Sequence, residues 1–278
     1  MVNAISVDVE DYFHPSEIQK NGPMDWDALP SRVEAATDRV LELMAKSAVR
    51  GTFFVLGWVA RRHPAVVRKI LSGGHELGCH SLLHRLVYDL TPQEFRRDTE
   101  DAQQAIADAC GVLPRLYRAP SYSITEKSLW ALEILAECGF THDSSIYSIA
   151  HDRYGIPGFE RGAHRIKTPS GEITEVPIAT AHLSGARVIP VGGGGYLRLL
   201  PYRYTAAGLR RVNEIEKTAA CVYFHPWEMD SDQPRLAKGW IAELRTYRGL
   251  STMEAKVARL MAEFRFAPIT EVFPGSRQ

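Results

Sequence analysis

The chain lacks the features that mark several classes of protein. Only four of its 278 residues are cysteines, and none lies in a Cys-x-x-Cys pair, which argues against a disulfide framework. The 33 basic and 33 acidic residues balance, so no positive field is present to attract nucleic acid. No apolar run in the sequence reaches the length of a transmembrane helix.

Several catalytic and targeting motifs are missing too. The four glycines at residues 192–195 are not followed by Gly-Lys-Ser/Thr, so they do not predict a phosphate-binding loop. No Gly-x-Ser-x-Gly elbow surrounds Ser121, Ser144 or Ser145, which disfavours a serine nucleophile. Met1 leads into an apolar strand pattern and not into a basic leader. We therefore expect a cytoplasmic protein, and the sequence carries no signal for its oligomeric state.

Strand and helix patterns alternate along most of the chain. Short apolar runs rich in β-favouring residues predict strands at residues 4–9, 52–55, 76–79, 116–117 and 220–224 and near residues 140 and 269. Helix signals fall between them, including a capping box that begins at Ser31, Pro64 in a first turn, and a second capping box at Thr91 that opens a helix closed by Gly111. Such alternation predicts a parallel α/β sheet covered by helices.

The alternation stops in one long stretch. Residues 146–203 are rich in glycine, proline, tyrosine and arginine and show only short strand-like pieces. A stretch of that length in a compact domain is more often functional than idle. We predict one domain over residues 1–278, with an irregular insertion at 146–203 and a C-terminal extension at about 228–278.

Four clusters of acidic, histidine and arginine residues each follow a predicted strand. They are Asp8-Val9-Glu10-Asp11, His80-Ser81-Leu82-Leu83-His84, Arg118-Ala119-Pro120-Ser121-Tyr122 and His225-Pro226-Trp227-Glu228. The carboxyl ends of parallel strands share one face of a barrel, so residues far apart in sequence meet there. Each cluster alone has a plainer structural explanation, such as an acidic turn or a core histidine. Their common position favours an active site.

The histidine pair predicts a metal site. On one helical turn, His80 and His84 would share a face and bind one ion. Two histidines and a carboxylate leave an open position for water, as in hydrolytic metal centres. Alternation along a strand favours Glu10 as the carboxylate, beside Asp8, whereas a turn beginning at Glu10 favours Asp11.

The other two clusters suit proton transfer. A guanidinium such as that of Arg118 holds a neighbouring carboxylate ionised and oriented. Pro226 biases His225 toward an extended conformation at the end of a strand. A histidine placed there can act as a general acid near neutral pH.

Together these motifs resemble the polysaccharide deacetylase family, also called the NodB-homology or carbohydrate esterase family 4 group. The resemblance runs from residue 4 to about residue 227, and segments 52–57 and 74–78 are similar to the family's spacer motifs. The Asp-Val-Glu-Asp-Tyr-Phe start and the Gly-Gly-Gly-Tyr-Leu-Arg segment are similar to a subgroup from bacterial exopolysaccharide gene clusters associated with exosortase. The family implies a distorted (β/α) barrel, commonly of seven strands, and one divalent metal, usually Zn²⁺.

The resemblance also implies residue roles. Asp8 would be the general base and Arg118 its orienting partner, while His225 would be the general acid. His80 and His84 would bind the metal. One departure is that Val9 occupies the place of the family's usual second aspartate, a metal ligand, so the ligand here would be Glu10 or Asp11.

Further positions complete the predicted site. Asp143 resembles a supporting motif of the family, and a backbone N–H near Ser121 or Tyr122 would stabilise an oxyanion. We predict a metal-dependent hydrolase that removes N-acetyl groups from amino sugars of a bacterial polysaccharide or its precursor. Two alternatives stay open: a hydrolase of a cyclic imide or ureide on the same barrel, and a degenerate barrel that only binds a glycan.

Overall fold

The computed structural model describes residues 1–20, 22, 24–151, 153–183 and 187–275. The strands are β1 Val2–Val9, β2 Thr52–Val55, β3 Glu76–Cys79, β4 Leu116–Tyr117, β5 His142–Asp143, β6 His164–Thr168, β7 Gly171–Glu175, β8 Thr180–His182, β9 Val188–Pro190, β10 Cys221–Phe224 and β11 Arg265–Ala267. The helices are α1 Ser16–Gln19, α2 Val33–Lys46, α3 Gly57–Arg62, α4 Pro64–Ser72, α5 Pro92–Cys110, α6 Ala131–Glu137, α7 Gly195–Leu199, α8 Tyr202–Arg210, α9 Trp240–Tyr247, α10 Leu250–Glu263 and α11 Ile269–Val272. Single 3₁₀ turns follow β4 and β10, at Pro120–Tyr122 and Pro226–Met229.

Seven parallel strands form the main sheet, in the order β10-β1-β2-β3-β4-β5-β7. The strand β6 pairs antiparallel with β7 at one end, and β11 adds a parallel pairing to β1. This α/β arrangement confirms the predicted fold class. Consecutive parallel strands leave their carboxyl ends on one face, where the predicted site clusters begin.

The outer edge of β10 is covered by the segment that precedes α7. The N–H of Tyr223 donates to the carbonyl of Gly192 at 2.7 Å, and the N–H of Gly194 donates to the carbonyl of Tyr223 at 2.8 Å. Gly193 has φ of 115°, and a Cβ there would lie 2.0 Å from the Tyr223 oxygen. Only glycine permits this approach. The segment therefore covers the outer edge of β10 just before His225.

Alternation along β1 separates the core from the site. Ile5, Val7 and Val9 are fully buried in the main apolar core, which also includes Val40 and Met44 of α2. The even-numbered residues of this strand point to the other side. Val9 therefore lies in the core because of strand geometry, and the polar groups of the site must come from positions 8 and 10.

Helix ends were predicted correctly where the capping residue lies next to the helix in the sequence. The capping box of Thr91 and Glu94 begins α5, and Gly111 ends it with φ of 78°, as predicted. The Ser31 cap was wrong, because α2 begins at Val33 and no neighbouring side chain caps it. The carboxylate of Asp11 does so from a distant part of the sequence.

The second half of the chain corrects two predictions. Residues 146–203 are not wholly an insertion, because β7 is a parallel barrel strand beside β5 and forms a hairpin with β6. The strand predicted near Ile269 is displaced: β11 ends at Ala267, and Ile269 begins α11. The predicted insertion and extension include residues 152, 184–186 and 276–278, which lie outside the described part.

Candidate active site

Three side chains predicted as metal ligands meet at one point. Oε1 of Glu10 lies 3.0 Å from Nε2 of His80 and 3.0 Å from Nε2 of His84. All three residues are buried, and one ligand atom from each lies within 4.8 Å of the others. Glu10 follows β1 and His80 follows β3, so the parallel sheet brings them together. Nδ1 of His80 donates to the carbonyl of Arg118 at 2.8 Å, which leaves Nε2 as the ligand atom.

The chemistry of this donor set fits a divalent metal ion. Two imidazole nitrogens and one carboxylate oxygen are the ligands of many hydrolytic zinc sites. Burial raises the pKa of Glu10, but the charges of His84 and His225 and the hydrogen bonds from His80 and His84 outweigh burial and hold that pKa well below its ordinary value. Glu10 is thus ionised, as a metal ligand must be.

Asp11 lies outside the ligand cluster. Its Oδ2 accepts hydrogen bonds from Ser31 Oγ at 2.6 Å and from the N–H groups of Arg32 at 2.9 Å and Val33 at 3.2 Å. These bonds satisfy free donors at the N-terminus of α2. Of the two alternatives for the ligand, the structure therefore brings Glu10 to the histidines and leaves Asp11 as a helix cap.

The conformation of the histidine loop differs from the prediction. His80 and His84 do not share a helical turn, because Ser81 has φ of 67° and His84 has φ of 54° in an irregular loop. Ser121 and Tyr122, after β4, also have positive φ, at 51° and 54°. Backbone strain of this kind persists where the surroundings enforce it, and it clusters at functional sites.

Arg118 forms an ion pair with Asp8. Nη1 of Arg118 donates to Oδ1 of Asp8 at 2.7 Å and to Ser6 Oγ at 2.8 Å. Nη2 donates to Ser144 Oγ at 2.8 Å, and the guanidinium lies 4.1 Å from the centre of the Phe54 ring. Burial lowers the pKa of Arg118, but the charge of Asp8, the hydrogen bond to Asp8 and smaller contributions from Tyr122 and Cys221 together raise it above its usual value. The pair is a buried, fixed ion pair.

His225 faces the two carboxylates from the end of β10. Its Nε2 lies 3.9 Å from Oδ2 of Asp8 and 4.0 Å from Oε1 of Glu10. On its other side, Nδ1 lies 3.1 Å from Oε2 of Glu228. Burial lowers the pKa of His225, but Glu10, Glu228 and Asp8 raise it, to about 9. The imidazole is therefore held between carboxylates, with Nε2 directed at Asp8 and Glu10.

Glu228 and Arg198 form a part of the site to which sequence reasoning gave no role. Oε1 of Glu228 accepts from Nε of Arg198 at 2.8 Å, and both side chains are buried. Burial raises the pKa of Glu228, but His225 and Arg198 lower it to about 2. The His-x-x-Glu spacing after a strand was a usable signal for Glu228. Arg198 had none, because it reaches the site only through tertiary packing.

The remaining predicted positions are the two oxyanion candidates, Ser121 and Tyr122, and the supporting residue Asp143. The N–H of Tyr122 donates to the carbonyl of Ala119 at 3.1 Å within its turn, so it is not an oxyanion donor. Among the described residues no acceptor engages the N–H of Ser121, which keeps that role possible for it. Asp143 does not touch the reacting groups; it accepts from Ser145 Oγ at 2.5 Å, and that hydroxyl accepts from the N–H of Ala119 at 2.8 Å. Asp143 thus supports the loop that carries Arg118.

An open pocket of about 820 Å³ lies over these groups. Asp8, Glu10, His80, His84 and His225 form part of its wall. Its aromatic lining consists of Tyr88, Tyr122, Tyr154, Tyr196, Tyr223 and Trp227. Aromatic faces interspersed with polar groups suit the two faces of a sugar ring.

Two family models match the chain. Residues 23–142 match the polysaccharide deacetylase family, and residues 144–274 match a family described as a domain of unknown function, DUF3473. The first match thus marks residues 23–142 as similar to the polysaccharide deacetylase family. The boundary between the two matches falls beside β5, so the ligand histidines lie in the first region and His225 lies in the second.

A curated relative agrees with this assignment. A chitooligosaccharide deacetylase from Bradyrhizobium sp. is 30% identical over 126 residues, which are 45% of this chain and 55% of that protein. The chain thus spans about half the length of the curated relative that it matches. Relatives of this kind support N-deacetylation of polysaccharides as the activity of the family.

Solved structures share the fold. A candidate polysaccharide deacetylase from Mycobacterium smegmatis matches with a TM-score of 0.64 and 20% identity, covering 100% of this chain and 93% of that one. A carbohydrate esterase family 4 pseudoenzyme from Bacillus anthracis matches with a TM-score of 0.51 and 14% identity, covering 98% of this chain and 64% of that one. The fold therefore does not fix activity, which depends on the residues of the site. Within the described residues, no helix has the length and apolarity needed to cross a bilayer.

Proposed function

We propose that the protein is a metal-dependent deacetylase that hydrolyses the acetamide of an N-acetylated amino sugar in a bacterial polysaccharide or its precursor. One observation carries the proposal: the Glu10–His80–His84 cluster lies beside Asp8 and His225, all in the wall of one pocket. A degenerate barrel has no need to keep ligands, base and acid together. The proposed partner is an N-acetylated carbohydrate.

Asp8 is the proposed general base. Its Oδ1 is held by Arg118 at 2.7 Å, while Oδ2 faces His225 across 3.9 Å. The buried guanidinium holds the carboxylate in place, and Oδ2 is the oxygen proposed to accept a proton from water. Attack of that water on the acetyl carbon forms a C–O bond and pushes charge onto the carbonyl oxygen. The N–H of Ser121 is the protein's proposed donor to that oxygen.

His225 is the proposed general acid. Glu228 lies 3.1 Å from Nδ1 of His225, which places the proton of Nε2 toward the pocket. Transfer of that proton to the leaving nitrogen breaks the C–N bond and releases acetate and the free amine. Arg198 fixes Glu228 and thereby the ring.

Glu10, His80 and His84 are the proposed ligands of one divalent ion, with Zn²⁺ first. A metal bound there would polarise the acetyl carbonyl and lower the pKa of water. We also propose the cytoplasm as the compartment, because Cys79 and Cys221 are buried free thiols.

Release of acetate tests the proposal. Purified protein is incubated with tetra-N-acetylchitotetraose as isolated, after chelation, and after Zn²⁺ is restored. We expect acetate release that chelation abolishes and zinc restores. Opening of a cyclic imide without acetate release would favour the ring hydrolase. Glycan binding without any hydrolysis, in protein that holds the metal, would favour the degenerate barrel.

A further inference from the structure

We propose that the pocket selects a substrate that carries a negatively charged group near its N-acetyl sugar. This inference rests on the proposed function, because it concerns the substrate of the same pocket. It comes from four residues at the pocket wall, Glu17, Lys20, Arg153 and Arg245, which we call the rim cluster. None of them has a role in the proposed chemistry.

The rim cluster places three cations around one carboxylate. Oε1 of Glu17 lies 2.6 Å from Nη1 of Arg153 and 3.2 Å from Nη1 of Arg245. Oε2 of Glu17 lies 3.3 Å from Nζ of Lys20. Glu17 and Lys20 come from α1 and its end, Arg153 from the segment after β5, and Arg245 from α9. Parts of the chain more than 220 residues apart are thus brought together at the pocket.

One carboxylate does not satisfy these cations. Two guanidinium groups and one ammonium offer about thirteen N–H donors, whereas a carboxylate offers about four acceptor sites. Three positive charges against one negative charge leave a surplus of two in the rim cluster. Nε of Arg153 is buried and has no partner among the described residues. The donors left over are suited to an anion with several oxygens.

The inner wall of the pocket differs from the rim. There, Arg118 pairs with Asp8 and Arg198 pairs with Glu228, so each cation has its own carboxylate. The whole chain has a formal net charge of zero. The surplus at the rim is therefore local, and it acts on a group of the ligand that lies within contact distance.

The chemistry expected of the ligand follows from the donors. Planar guanidinium groups bind carboxylate and phosphate oxygens in pairs, with charge-assisted hydrogen bonds. A uronic acid next to the acetylated sugar and the phosphates of an activated sugar both present such oxygens. The aromatic lining would hold the sugar ring, and the rim cluster would hold the anion.

A purely structural role for the rim cluster makes a different prediction. If Glu17 only ties three segments together, its loss loosens the pocket and weakens binding of every ligand. If Glu17 instead competes with a substrate anion, its neutralisation strengthens binding of anionic ligands. Glu17→Gln and Arg153→Gln therefore shift affinity in opposite directions only if the cluster is an anion site.

Calorimetric titration of the full-length protein tests the inference. The ligands are a hyaluronan tetrasaccharide, with a carboxylate, UDP-N-acetylglucosamine, with phosphates, and neutral tetra-N-acetylchitotetraose. The variants are Arg153→Gln, Arg245→Gln and Glu17→Gln. Arg165→Gln is the matched control, because Arg165 is an exposed arginine on β6 that pairs with Glu172 and does not line the pocket.

We expect at least one anionic ligand to bind the wild-type protein about tenfold more tightly than the neutral one. Arg153→Gln should lower the affinity for the anionic ligand about tenfold. Glu17→Gln should increase that affinity, and Arg165→Gln should leave it unchanged. The ligand that responds identifies carboxylate or phosphate as the anion. Equal binding of all three ligands, binding of none, or equal behaviour of Arg153→Gln and Arg165→Gln would overturn the inference.

Acetate release from the same ligands separates the two proposals. Preferred binding of an anionic ligand without acetate release would support the anion site and exclude the deacetylase activity. Acetate release from the neutral ligand, with equal binding of all three ligands, would support the deacetylase activity and exclude the anion site.

Discussion

Two regions of the molecule contain buried carboxylates, and their pKa values shift in opposite directions. At the active site, Glu10 and Glu228 are buried beside histidine or arginine side chains, and their pKa values are lowered despite burial. Within the main sheet, Asp143 of β5 and Glu175 of β7 are buried in register with each other. There burial dominates and raises the pKa of both groups, most strongly that of Glu175.

The difference shows what a buried acid needs in order to stay charged. The charge of Asp143 adds to burial in raising the pKa of Glu175, which favours a protonated Glu175. We therefore expect Asp143 and Glu175 to share one proton within the sheet. Glu10 and Glu228 have cationic partners, which lower their pKa values and favour the ionised carboxylates. Burial alone therefore does not identify a catalytic carboxylate, and the partner does.

Asp8→Asn gives the largest expected effect, because it removes the base but keeps the shape of the side chain. We expect kcat to fall by about 10³-fold, while the metal content stays at the wild-type level. Stopped assays of acetate release and elemental analysis of the same sample measure both quantities. Turnover near the wild-type rate would exclude Asp8 as the base.

Glu228→Gln is expected to act one step further from the reaction. It leaves a hydrogen-bonding group beside Nδ1 of His225 but removes the charge that stabilises the protonated ring. We expect kcat to fall by about 10- to 100-fold, with KM nearly unchanged and Glu228→Asp partly restoring the rate. If Glu228→Gln lost thermal stability as well as kcat, and Glu228→Asp recovered neither, the role of Glu228 would be structural.

Asp11→Ala tests a buried acid that serves a helix and not the reaction. Loss of the acceptor for Ser31, Arg32 and Val33 should cost about 2 kcal/mol of unfolding free energy. Metal content and kcat of the folded protein should not change. Urea denaturation measures the first quantity, and loss of metal in this variant would return Asp11 to the ligand set.

Glu175→Gln gives the smallest expected effect, a change in thermal stability that depends on pH. A raised pKa means that the folded state holds a proton that the unfolded chain releases, so this group lowers stability as the pH rises above about 4.5, its ordinary value. Glutamine cannot lose a proton. We expect the melting temperature of the variant to gain on wild type by about 2 °C between pH 5 and pH 8.

Glu160→Gln, at an exposed glutamate, is the matched control and should show no such gain. A gain that is equal at pH 5 and pH 8 would contradict the shared proton.

Much of the first half of the fold could be predicted because its signals are local. The capping box at Thr91, the left-handed Gly111 and the apolar runs of β1 to β3 are each complete within a few residues. The histidine pair was predicted from its motif, but its conformation was not. Positive φ at Ser81 and His84 is imposed by packing and leaves no mark in the sequence.

The second half resisted prediction because its signals are distant. The strand β7 was indicated only as a strand-like piece at residues 172–176, and its place in the sheet depends on pairing with β5. Asp11 caps a helix that begins at Val33, and Arg198 reaches Glu228 across 30 residues. Sequence spacing predicted which residues meet at the pocket, whereas only the fold shows which partner each one contacts.

Metal content is the measurement that tests the central claim most directly. Elemental analysis compares wild type, Glu10→Ala, and the pair His80→Ala with His84→Ala, with Asp11→Ala as the control for a buried acid nearby. We expect about one divalent ion per chain in wild type and in Asp11→Ala, and none in the ligand variants. Wild-type protein that holds no metal after incubation with Zn²⁺, or a Glu10→Ala variant that retains it, would contradict the account.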